Sequence, residues 1–243
     1  MANIQRTRGI ILKTFPFRES SLIGSIFTEK FGKIKVLAKG ARRPKSKFCG
    51  TLEPFMHNEF IFYKKEFKEV YTLSDAVVID DFVVNRMSLM KLNASETICE
   101  FFEKTLPLEE VDRVVYEQIL SFLKEIKICD ENQIKPIIIR YLLKALKTVG
   151  VFPHLGNCVY CHKEMNDIRL GLSISAGGVV CEKHLDETVL ILDRKSIDIM
   201  KQVYEDKLVV IDQKIQDELK KFLTAYLPHH LSGVVLNSLR FIK

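Results

Sequence analysis

Lys33-Ile34-Lys35-Val36-Leu37-Ala38-Lys39 places lysines at 33, 35 and 39 on one side of an extended chain and Ile34, Val36 and Ala38 on the other. Side chains of a strand alternate between its faces, so this stretch buries one face and charges the opposite one. Outward from it, Gly9 to Phe15, Leu22 to Thr28, Glu59 to Lys64 and Glu69 to Leu73 are short, rich in Ile, Val, Phe and Thr, and separated by glycines or charged turns. Five such strands before residue 81 suggest a small barrel or sandwich.

After Asp80 the apolar period becomes 3.6. Met87, Met90, Ala94, Ile98 and Phe101 form one stripe, stopped by Pro107, and Val111, Val115, Ile119, Phe122 and Ile126 form a second. A third begins near Pro136, carries Ile137, Ile138, Tyr141, Leu142, Ala145, Leu146 and Val149, and stops at Gly150 with Pro153 beyond. The helical pattern returns over Lys195 to Tyr204 and Gln213 to Tyr226. Between Pro153 and His184 it is absent, and Gly171, Gly177 and Gly178 flank β-like pieces such as Leu172-Ser173-Ile174-Ser175. The expected organisation is α+β: a β-barrel domain over 1–80, then an all-helical domain over 81–243 with an insertion at 153–187.

The 243 residues are 47% hydrophobic, enough for a core without a disulfide scaffold. The most apolar run, Pro136 to Phe152, is broken by Arg140, Lys144 and Lys147, short of the roughly 18 apolar residues of a membrane span. Met1 to Phe17 carries Arg6, Arg8 and Lys13 and no apolar signal core, so a cytoplasmic protein is expected. The net charge of +6 is uneven. Residues 1–80 hold 15 Lys and Arg against 8 Asp and Glu, whereas the remainder holds 22 against 23. Lys30, Lys33, Lys35, Lys39, Arg42, Arg43, Lys45 and Lys47 follow one another with no acid between them, which suits a polyanion.

Twelve aromatic residues lie within the first 82 positions, interleaved with these cations: Phe15, Phe17, Phe27, Phe31, Phe48, Phe55, Phe60, Phe62, Tyr63, Phe67, Tyr71 and Phe82. Single-stranded nucleic acid is held by cations along its phosphates and by rings on which bases stack. A five-stranded barrel of this composition fits an OB-fold, although core packing accounts for most of the rings.

Cys158, Cys161, Cys181 and His184 read as C-x2-C, nineteen residues, then C-x2-H. Two ligands two residues apart can meet one ion from a single tight turn, and two such turns close a tetrahedral zinc site. With no coordination position left for water, one Zn2+ would be structural. His162 is the rival fourth ligand. Cys158-Val159-Tyr160-Cys161-His162 also matches the haem attachment pattern C-x-x-C-H, but that would leave Cys181 and His184 unused. Cys49, Cys99 and Cys129 stand singly and are expected to be buried.

Catalytic signatures are missing: no phosphate-binding loop, dinucleotide fingerprint, nucleophile elbow or H-E-x-x-H. No catalytic residues are assigned, and the protein is expected not to be an enzyme. The DNA-binding candidates are Lys33, Lys35, Lys39, Arg42, Arg43, Lys45 and Lys47. Two alternatives remain, an RNA-binding accessory factor with zinc and a zinc enzyme acting on nucleic acid with a carboxylate such as Glu182.

Gly9-Ile10-Ile11-Leu12-Lys13, Phe17-Arg18-Glu19, Phe27-Thr28, Gly32-Lys33, Lys39-Gly40-Ala41-Arg42-Arg43-Pro44-Lys45-Ser46 and Leu52-Glu53-Pro54-Phe55 resemble the bacterial RecO family of recombination mediators. So does Gly177-Gly178-Val179-Val180-Cys181, where a glycine pair precedes the third metal ligand. The resemblance implies an N-terminal OB-fold, a C-terminal helical domain and no turnover. It further implies binding of single- and double-stranded DNA, annealing of complementary strands, and RecA loading with RecR on DNA coated by single-strand-binding protein. A bacterial, nucleoid-associated location and no membrane contact follow from the same likeness.

Overall fold

A computed structural model describes residues 3–165 and 170–241. Five strands, β1 (Asn3–Phe17), β2 (Ser21–Thr28), β3 (Gly32–Ala38), β4 (His57–Lys64) and β5 (Val70–Asp80), close a barrel in the order β1-β2-β3-β5-β4. This is the arrangement of an OB-fold. All neighbours are antiparallel except β3 and β5. β1 serves two partners, pairing with β4 over Asn3 to Ile10 and with β2 over Gly9 to Phe17. A bulge between Ile11 and Lys13 interrupts its register with β2. Ile11, Ile26, Ile34, Val36, Phe60, Phe62 and Tyr71 fill the barrel, so the alternation of β3 turns its aliphatic side inward as expected.

α1 (Val83–Met87), α2 (Leu89–Thr105) and α3 (Arg113–Ile128) share a compact unit with the barrel, and α2 and α3 pack on β1. Asp112 caps α3 by accepting the N–H groups of Val114 and Val115. Within α2, Ala94, Ile98 and Phe101 are buried as its stripe predicts. Met87 and Met90 are not: Ser88 is extended and separates α1 from α2, leaving Met87 at the surface. Gly32, at φ +60°, is required by close approach, because a Cβ there would lie 1.9 Å from the Glu110 carbonyl oxygen. The α2–α3 connection therefore runs against β3, where the Glu109 N–H also donates to the Lys33 carbonyl at 2.8 Å.

The second unit begins at Lys135, inside α4 (Glu131–Thr148), and extends to Leu239. α4 starts five residues before the predicted Pro136. Its end is as read: Gly150 adopts φ +77°, Val151 donates to the Leu146 carbonyl and Gly150 to that of Lys147, a Schellman closure. A three-stranded sheet of β6 (Leu170–Ser173), β7 (Gly178–Val180) and β8 (Val189–Leu192), ordered β7-β6-β8, builds the insertion. α5 (Arg194–Tyr204) and α6 (Gln213–His230) follow, each capped by an aspartate, Asp193 and Asp212. Among the described residues no helix is long and apolar enough to cross a membrane.

Candidate nucleic-acid interface and metal centre

The outward side of β1, β2 and β3 divides into a covered and an open half. Phe27, Ser25 and Lys33 all point outward, yet all are buried. Lys33 Nζ donates to the Glu103 carbonyl on α2 at 2.5 Å, and the Ser25 hydroxyl donates to the Glu103 carboxylate. Burial lowers the pKa of Lys33, the Glu103 charge opposing it only in part. Lys33 is therefore a packing residue, a correction to its place among the DNA-binding candidates. The charged face was read properly, but a helix from later in the chain lies over that part of it.

The open half carries a cross-strand row in which Phe15 faces Ile23 and Ile23 faces Leu37. Lys35 lies half-buried beside the row and Lys39 is exposed at its end. The connection from β3 to β4 then folds as successive turns, Arg43 donating to Gly40, Ser46 to Arg43, Cys49 to Ser46 and Thr51 to Phe48. Phe48, Leu52 and Met56 from this connection enter the barrel core, fixing it in place. Its charged residues are thereby left outside: Arg42, Arg43, Lys45 and Lys47 are all exposed. Lys47 Nζ donates to the Ser74 carbonyl and lies 5.2 Å from the Phe48 ring centre.

Arg42 ties this loop to the β1–β2 turn. Its N–H donates to the Ser20 carbonyl at 2.9 Å, and its guanidinium reaches the carbonyls of Glu19 and Arg18 at 3.4 and 3.5 Å. Lys35, Lys39, Arg42, Arg43, Lys45 and Lys47 thus belong to one barrel side and its adjoining loop. Lys13, Phe15, Phe17 and Arg18 border them and were absent from the candidates. Their signal in the sequence was the mixture of rings and cations before the turn at residues 18–20. Most of the remaining rings are core, including Phe27, Phe48, Phe55, Phe60, Phe62, Tyr71 and Phe82.

In the second unit, Cys158, Cys161, Cys181 and His184 converge, their donor atoms all within 4.8 Å of one another. Cys161 and Cys181 Sγ are 3.8 Å apart, and His184 Nδ1 lies 3.6 Å from Cys158 Sγ and 3.2 Å from Cys181 Sγ. A tetrahedral zinc ion has edges of about 3.8 Å between thiolates and about 3.6 Å between thiolate and imidazole, so the residues fit that metal. The first turn is closed by His162 N–H donating to the Cys158 carbonyl, the second by His184 N–H donating to that of Cys181. Val159 N–H donates to the Val179 carbonyl, joining the first turn to β7. Burial opposes ionisation of Cys158, but N–H groups of Cys161, Cys181 and Tyr160 outweigh it and bring the thiol down to about 6. His162 is exposed at φ +58° and outside the cluster, so His184 is the fourth member. Cys99 and Cys129 are buried as expected, whereas Cys49 is exposed on the basic loop.

Among known families, residues 1–82 match the one described as Recombination protein O N terminal, and residues 88–240 the one described as Recombination protein O C terminal. The chain belongs to the RecO family. A DNA repair protein RecO from Thermoanaerobacter sp. (strain X514) is 32% identical over 240 residues, covering 93% of this chain and 92% of the relative. Another from Caldicellulosiruptor saccharolyticus is 28% identical over 246 residues and covers 98% of both chains. The C-terminal RecO match includes the whole Cys/His cluster, and the N-terminal one ends two residues after β5.

Proposed function

We propose that this protein, placed in DNA repair by its RecO membership, is a non-enzymatic mediator that binds single- and double-stranded DNA and anneals complementary strands. The observation that carries this reading is the run Lys39, Arg42, Arg43, Lys45 and Lys47, exposed together on one core-anchored loop with no acid between residues 39 and 47. Such a loop neutralises phosphates regardless of base sequence. Two strands brought to the same cations repel each other less, which favours pairing. In its family role the protein would act with RecR to load RecA on DNA covered by single-strand-binding protein.

Cys158, Cys161, Cys181 and His184 would hold one Zn2+, which supplies a cross-link between two turns and no open coordination position. The cluster thus supports a structural part for the metal. The test is annealing of complementary oligonucleotides coated with single-strand-binding protein, with and without RecR. Faster annealing than without the protein is expected; an unchanged rate in both arms overturns the reading. A matched RNA competitor displacing the DNA more readily would redirect it to RNA.

A further inference from the structure

We infer that Phe15 and Phe17 form a stacking platform for unpaired bases on the open half of the barrel, a conclusion that rests on the DNA-binding reading above. Both rings lie on the outward row of β1, two residues apart, beyond the bulge at Ile11 and Lys13. Phe15 is 36% exposed and Phe17 is partly exposed. A cation stands over each ring: Lys13 Nζ lies 5.0 Å from the Phe15 centre and the Arg18 guanidinium 5.3 Å from that of Phe17. Rings and cations therefore occur as paired units at the place where Arg42 joins the basic loop to the turn after β1.

The surroundings determine where a strand can run. Lys13 shares a cleft with Glu96, Glu100 and Glu103 of α2, and with Lys13, Arg86 and Lys104 balancing these carboxylates that end offers a polyanion no net attraction. In the other direction lie Arg18, Lys39, Arg42 and Arg43, with Glu19 the only acid among residues 13–47 besides Glu29. A strand stacked on Phe15 and Phe17 continues onto the basic loop. The exposed Phe67 offers a contrast: Lys65 and Lys68 beside it are balanced by Glu66 and Glu69, leaving no electrostatic attraction for phosphates.

Two rings at alternate strand positions are about 6.6 Å apart along the chain, roughly twice the 3.4 Å rise between bases in a duplex strand. Neighbouring bases reach both rings only after separating from each other. Paired duplex cannot do this without melting, so the platform selects single strands, while the loop cations hold either form through phosphates.

The test measures anisotropy of fluorescein-labelled oligothymidylate, an abasic strand of equal length, and a duplex. Phe15→Ala with Phe17→Ala should weaken oligothymidylate binding by about 30-fold or more, since each of the two stacked bases contributes about 1–3 kcal/mol. Binding to the abasic strand and to duplex should match the parent protein, and the salt slope should not change. Phe15→Leu with Phe17→Leu keeps apolar volume and should show the same loss with an unaltered melting temperature. Retention of parental oligothymidylate affinity by the leucine variant overturns the platform. If replacing Arg42, Arg43, Lys45 and Lys47 also leaves binding intact, the DNA-binding reading falls with it; if that replacement weakens binding, the reading stands without the platform.

Discussion

Replacing Arg42, Arg43, Lys45 and Lys47 together by alanine removes four of the six candidate DNA-binding cations that reach solvent, leaving Lys35 and Lys39 of that set. Each cation on a single-strand phosphate contributes about −0.7 to the slope of log affinity against log salt, so six give roughly −4. Between about 50 and 200 mM salt the parent should therefore lose affinity about 300-fold. With two cations left, the slope is roughly −1.4 and the loss about sevenfold. Anisotropy titrations of a labelled oligonucleotide at several salt concentrations measure both slopes. Lys33→Ala is the internal control. Its ammonium is buried on the Glu103 carbonyl, so the variant should melt earlier yet keep the parental slope. A four-site variant with the parent's slope would refute the electrostatic argument, and a flattened slope for Lys33→Ala would refute its assignment to packing.

Metal analysis should find one zinc per chain, and Cys158→Ser with Cys181→Ser should lose it and melt earlier. Zinc retained in that variant would exclude the cluster as its site. Asp80 accepts the Phe82 N–H at 2.9 Å and pairs with Lys127 at 2.9 Å. Burial opposes ionisation, but these partners outweigh it and hold the carboxyl below its usual value. A group lowered on folding stabilises above its unfolded pKa of about 4 and loses that contribution as pH falls through the folded value. Asp80→Asn should cost on the order of 1–2 kcal/mol at pH 7, with parent and variant converging in chemical denaturation as pH falls through the folded carboxyl's lowered pKa. Gly32→Ala should cost about 2–4 kcal/mol from the positive φ and the Glu110 contact, and parental stability would contradict that close approach.

The barrel was legible because β3 alternates cleanly and the neighbouring strands have turn residues between them. The metal cluster was legible because both pairs of ligands are local in sequence. Lys33 was not, since the group that covers it, Glu103, lies seventy residues later and nothing near Lys33 signals its approach. The outward placement of Phe15 and Phe17 depended on the β1 bulge, which shifts the phase of a strand without a distinctive residue. β8 was too short, at four residues with an apolar run and no alternation, to stand apart from the helix that follows. The start of α4 was misplaced because Pro136 reads as a first-turn residue, whereas it sits inside a helix begun at Glu131.

The roof that α2 places over Ser25 and Lys33 leaves the barrel a narrow open face. An OB-fold can track about 4–16 nucleotides, and a half-roofed one belongs at the short end of that span. A short footprint means few contacts to break at once, hence quick release. Under the proposed annealing role brief tenure would be an advantage: the cargo is steadied long enough to meet its complement and then let go.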